Sequence, residues 1–147
     1  MPDISLTEFT GSLIEIMTRV SKGFMKYHNS RLLKGRITIQ QLFVLDHLAQ
    51  SGEIKMKELA VFIGVTTATM TGVINRLVRD GYVARVYDPL DRRVIRVKLT
   101  SKASNLIKQF NEERRKAVTN VFSQITAQER SQYLNILNKI SEIVNKG

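Results

Sequence analysis

Proline occurs at only two of 147 positions, Pro2 and Pro89. Proline removes a backbone donor and breaks helix interiors, so its scarcity leaves nearly the whole chain free to be helical. Apolar residues recur every three or four places along most of the sequence. The exception begins after Gly81, where the period changes from 3.6 to 2. The pattern predicts a mostly α (α+β) fold with one hairpin, in the order helix, helix, short helix, helix, hairpin, helix, helix.

The boundaries follow from capping chemistry. Ser5-Leu6-Thr7-Glu8 is a capping box. It opens a long amphipathic helix through Phe9, Leu13, Ile16, Val20, Phe24 and Tyr27, with its end expected near Leu33 and Gly35. Thr38-Ile39-Gln40-Gln41 opens a second helix, with Leu42, Leu45, Leu48 and Ala49 on one face and Ser51-Gly52 at its close. A short helix is expected from about Met56 to Ile63, stopping at Gly64. Thr66 caps the next, from Thr67 to Asp80, closed by Gly81. Residues 82–87 and 94–99 read as strands, with Ile95, Val97 and Leu99 facing inward and Asp88-Pro89 in the turn. Thr100 caps a long helix carrying Ala103, Leu106, Phe110, Ala117 and Val121. A third box, Thr126-Ala127-Gln128-Glu129, opens the last helix, with Tyr133, Leu137, Ile140 and Val144.

The short helix, tight turn and following helix make a helix-turn-helix over about 56–80, and the hairpin makes a wing over about 82–100. A winged helix needs only residues 36–100. The helices at 5–34 and 101–146 carry apolar stripes of their own, which a monomer would leave exposed. A homodimer covers them, with Phe9, Leu13, Leu134, Leu137 and Ile140 expected to contribute. It also places two recognition helices on a two-fold symmetric duplex. The alternative is that these helices fold over their own domain.

The formal net charge is +10, which points to a polyanion, most simply nucleic acid. Between Arg76 and Lys102 eight basic residues face three acids, so half the excess lies around the wing. In the recognition helix, Met70, Val73, Ile74 and Leu77 form the inward stripe. Thr66 and Thr67, Ala68, Thr69, Thr71, Gly72, Asn75 and Arg76 form the outward, DNA-binding face. Short Thr and Ala side chains suit contact with thymine methyls, and Asn and Arg can pair bidentately with purines. Gly72 is open to two readings: close backbone approach to DNA or another helix, or a neutral loss of a base contact. Arg92 and Arg93 at the hairpin tip suit phosphate or the minor groove. Asp91 is expected to brace the wing by pairing with Arg93 or Arg85.

Other function classes lack their residues. There is no Cys, which removes disulfides, thiolate metal sites and thiol redox switching. His28 and His47 are the only histidines, so no metal or other cofactor is expected. No phosphate-binding glycine loop or Ser/His/Asp arrangement marks an enzyme, and Glu112-Glu113 reads as a solvated helix face. No apolar run reaches the ~20 residues of a membrane span, and the N-terminal residues do not resemble a secretory signal. The expected location is cytoplasmic.

Asp91-Arg92-Arg93-Val94-Ile95-Arg96-Val97-Lys98-Leu99-Thr100 resembles the wing signature of the MarR family of bacterial transcription regulators. Lys57-Glu58-Leu59-Ala60, Gly64-Val65-Thr66, Thr69-Met70-Thr71, Asn75-Arg76-Leu77 and Gly81-Tyr82-Val83 resemble its helix-turn-helix. The resemblance implies a homodimer that binds palindromic operator DNA, usually as a repressor. In many members a small, often aromatic, ligand between the dimerisation and DNA-binding parts releases the DNA. By match to the motif, Thr66 to Arg76 would face the major groove and Arg92 or Arg93 the minor groove. Gly72 departs from the family, many of whose members carry a larger polar residue there. The alternative to a specific regulator is an architectural winged-helix protein that binds any duplex.

Overall fold

The computed structural model describes residues 4–28 and 33–146. They form six helices and three short strands: α1 (Leu6–His28), α2 (Ile39–Ser51), β1 (Ile54–Lys55), α3 (Met56–Ile63), α4 (Thr67–Arg79), β2 (Val83–Tyr87), β3 (Ile95–Leu99), α5 (Ser101–Phe122) and α6 (Ala127–Asn145). The winged helix-turn-helix order is as expected. The chain divides into two compact units, Met1–Asn111 and Glu112–Gly147, with α5 continuous across the division.

The helix starts rest on local hydrogen bonds. Thr38 and Thr126 each accept from the backbone N–H three residues on, while Gln41 and Glu129 accept from the cap N–H groups in return. The Glu8 carboxylate likewise accepts from the Ser5 backbone at 3.0 Å. Thr100 caps α5 through the Ala103 N–H. Two boundaries differ from expectation. Residues 33–36 form a turn rather than the end of α1. A two-residue strand, β1, precedes α3 and pairs with β3 in the register Ile54↔Val97. The sheet order is β1-β3-β2, antiparallel throughout.

The core lies in the first unit. Val44, Leu45 and Leu48 of α2, Leu59 of α3, the α4 stripe Met70, Val73, Ile74 and Leu77, Val83 and Val97 of the sheet, and Ala103, Ile107 and Phe110 of α5 are all buried. Ala49 is exposed, and Val44 takes the core position on α2. The expected stripe on α5 fades after Phe110: Ala117 is half-buried and Val121 is exposed. His47 stacks on Phe62 with ring centroids 3.5 Å apart, tying α2 to the end of α3. The side chains of Tyr27 and His28 lie outside the described residues. In the second unit α6 has no buried residue. No single helix among the described residues is long and apolar enough to cross a membrane.

The turn of the helix-turn-helix depends on Gly64, whose φ of 77° is left-handed and strained for any residue with a Cβ. Truncating the stripe behind the recognition helix, Ile74→Ala, is expected to cost about 2–5 kcal/mol in urea denaturation. Gly64→Ala should cost about 1 kcal/mol. Parent-like midpoints for both would contradict the packing described.

Candidate nucleic-acid interface

Burying one face of α4 turns the other outward. Thr67, Ala68, Thr69, Thr71, Asn75 and Arg76 are exposed, as is the cap residue Thr66, and Gly72 is half-buried. Several hydroxyls on this face are already engaged. Thr66 Oγ1 accepts from the Thr69 N–H at 3.1 Å and donates to Thr69 Oγ1 at 2.9 Å. Thr71 Oγ1 donates to the Thr67 carbonyl at 2.8 Å. The surface is therefore largely methyls and helix backbone. A Cβ at Gly72 would meet nothing within 4 Å, so no other helix of the described chain requires that glycine. Arg76 makes no ion pair among the described residues.

Asn75 departs from the free base-reading group expected of it. Its Oδ1 accepts a hydrogen bond from Arg85 Nη2 on β2, which ties the recognition helix to the wing. Arg85 consequently braces Asn75 and not Asp91. The Asp91 carboxylate is the acceptor for Arg93, from both its backbone N–H at 3.0 Å and its Nε at 3.3 Å.

The base of the wing is stapled to the end of α4. The Tyr82 N–H donates to the Leu77 carbonyl at 2.8 Å, and the Thr100 hydroxyl donates to the Gly81 carbonyl at 2.7 Å. Lys102 Nζ donates to the Asp80 carbonyl at 2.8 Å and sits 4.4 Å from the centre of the Tyr82 ring. The Arg79 hydrogen bond holds the Asp80 carboxyl below its ordinary range, helped by the charges of Arg79 and Lys102. None of these staples was apparent from the sequence, since each joins residues whose closeness depends on the folded hairpin.

The tip is built by two aspartates. Asp88 Oδ1 accepts from the backbone N–H groups of Leu90 at 2.8 Å and Asp91 at 3.2 Å, and the Asp91 carbonyl accepts from the Val94 N–H at 3.0 Å. Those N–H groups hold the Asp88 carboxyl below its usual pKa, with smaller help from Arg96 and Lys55. Arg92 and Arg93 stand exposed on this frame, and Arg92 has no ion pair among the described residues.

The described residues of the first unit enclose clefts on two sides. One, of about 780 Å³, lies between the starts of α3 and α4 and the wing, with Lys55, Lys57, Arg85 and Arg93 among its walls and Met56, Val94 and Ile95 as apolar lining. The other, of about 280 Å³, lies between α1 and the start of α2, beside Lys22, Lys26 and Leu42. Lys55 carries no expectation from the sequence, because the two residues of β1 are too few to show a period.

Residues 37–95 match the MarR family. The HTH-type transcriptional repressor YetL of Bacillus subtilis is 28% identical over 141 residues, 95% of this chain and 83% of that one. A mutant of Escherichia coli MarR, solved with operator DNA, superposes with a TM-score of 0.71 at 25% identity, over 93% of this chain and 99% of that one. Streptococcus pneumoniae FabT, solved in complex with DNA, gives 0.81 at 20% identity, over 97% and 99%. The fold is a winged helix-turn-helix, and over residues 37–95 the chain is similar to the MarR family of transcription regulators.

Asn75→Ala and Arg85→Ala are expected to be non-additive in urea denaturation, with a coupling of about 0.5–1 kcal/mol. Strict additivity would mean that the helix–wing link carries nothing. The Asp88 brace also has a sign in pH. Its folded pKa is depressed, so its contribution is complete above the ordinary carboxylate range and is lost as pH falls through the lowered folded value. Carboxyl NMR should show Asp88 titrating below the ordinary aspartate range, and an ordinary midpoint would refute the brace.

Proposed function

We propose that the protein is a homodimeric repressor that binds a palindromic operator and releases it when a small ligand binds. In this reading residues 36–100 form the DNA-binding part, and the helices at 5–34 and 101–146 form the dimer. The observation that carries it is the outward face of α4, smooth with Thr and Ala methyls and set beside a braced basic wing. The face around Thr66, Thr67, Ala68, Thr69, Thr71 and Gly72 enters the major groove. Arg76 reads a base edge, while Asn75 orients Arg85 and the wing. Arg92 and Arg93 meet phosphate or the minor groove. Two proteins of the same fold have been solved with DNA, which supports duplex DNA as the ligand.

Dimerisation is supported by each unit separately. Phe9 and Leu13 are exposed on α1, and Leu134, Leu137 and Ile140 are exposed on a helix that buries nothing. Most helical stability in proteins comes from packing of an apolar face, so a second copy covers these faces. For the ligand, the larger cleft suits a small anion with an aromatic or other apolar body, because cations and apolar side chains share its walls. The cleft includes Arg85, the partner of Asn75, so an anion there competes for the helix–wing link.

Light scattering at low micromolar concentration should give twice the chain mass, and a monomer would overturn the palindrome with the dimer. Affinity selection from random duplex should recover an inverted repeat with half-sites about one helical turn apart. Equal affinity for all duplexes would favour the architectural alternative. Arg76→Ala should cost about 1–3 kcal/mol on the selected duplex and relax preference at one base position. Arg92→Ala should weaken selected and random duplex alike and flatten the salt dependence.

A further inference from the structure

Leu90 stands at the tip of the wing with 96% of its surface exposed, more than any other large apolar side chain among the described residues. Its position is not slack. Pro89 fixes the preceding φ, and the Leu90 N–H and the following N–H of Asp91 both donate to the Asp88 carboxylate. Asp91 in turn holds Arg93 by backbone and side chain. The tip is thus a rigid frame presenting one bare leucine next to two exposed arginines. A turn that serves only solvent favours polar residues, Gly or Pro.

We propose that Leu90 is the wing's apolar contact in the DNA minor groove, seated against deoxyribose and the base step while Arg92 and Arg93 meet the flanking phosphates. The inference rests on the reading that the wing meets duplex DNA. The chemistry of the groove matches the tip. A minor groove has anionic edges and a largely apolar wall of sugars between them, and proteins that enter it commonly do so with Leu, Ile, Phe, Met or Pro beside basic residues. The contact carries no charge, so it adds to affinity without releasing counterions. It is sensitive to the guanine N2 amino group, which projects into the minor groove.

The test uses the full-length chain and a duplex of about 30 base pairs recovered by affinity selection from random sequence. Leu90→Ala and Leu90→Ser are compared with the parent and with Arg92→Ala. A second duplex carries inosine·cytosine in place of guanine·cytosine in the sequence outside the two half-sites, which removes the N2 amino group and leaves the major groove unaltered. Leu90→Ala should weaken binding about tenfold, the effect of burying part of a leucine side chain, with the slope of affinity against salt unchanged. Arg92→Ala should flatten that slope. The parent should bind the inosine duplex more tightly than the guanine duplex, and both Leu90 variants should lose most of that gain. Unaltered melting of the Leu90 variants checks that the loss is not one of folding. Parent-like affinity of Leu90→Ala, or an undiminished inosine preference, overturns the proposal while leaving DNA binding intact. A parent chain that retains no duplex in the selection overturns the DNA-binding reading and this inference together.

Discussion

Four side chains spaced along one face of α4, Met70, Val73, Ile74 and Leu77, are excluded from water, and the geometry of the candidate interface follows from that exclusion. Once they are seated against α3 and the sheet, the helix cannot rotate without exposing them, so the opposite face is fixed outward. Its ends are then defined by Thr66 at the start and by the Tyr82 N–H on the Leu77 carbonyl at the close. The wing leaves directly from that second anchor. Lys102 and Thr100 at the start of α5 hold the same corner from the other side. The arginine-bearing tip is therefore carried by hydrogen bonds that trace back to a buried apolar stripe.

The expectations that matched the structure rest on interactions between near neighbours in the chain. Capping boxes at Ser5, Thr38 and Thr126 join residues three apart, so they are readable in a line of text, and the helices start where those boxes lie. The change of period after Gly81 marks the hairpin for the same reason. The missed features join distant residues. Two residues, Ile54 and Lys55, are too few for a period, and only the partner strand makes them β1. Asn75 was expected to project freely because a helical wheel shows its face but not Arg85, ten residues on, which reaches it only when β2 is in place. Ala49 was drawn into the core by a spacing rule, although the actual stripe on α2 runs through Val44.

The two units place different demands on the same kind of helix. In the first unit, α2, α4 and the first half of α5 are held by tertiary burial, and their local signals agree with their packing. In the second, α6 has a complete capping box and one acidic residue, Glu129, suited to its first turn, yet it has no buried residue. A box fixes where a helix begins and has no bearing on what its apolar face lies against. That separation explains how the start of α6 could be read to the residue while Leu134, Leu137 and Ile140 remain exposed.

The shape of the wing tip is set by two aspartates acting mainly on backbone N–H groups. Backbone donors are the same whatever side chain they belong to, so the scaffold is indifferent to the identity of residues 90 and 92. Variation can accumulate at those two positions with little penalty in foldability. Copies of such a gene could therefore diverge in what the tip touches while keeping the tip itself. The arrangement separates the part of the loop that must be inherited intact from the part open to adaptation.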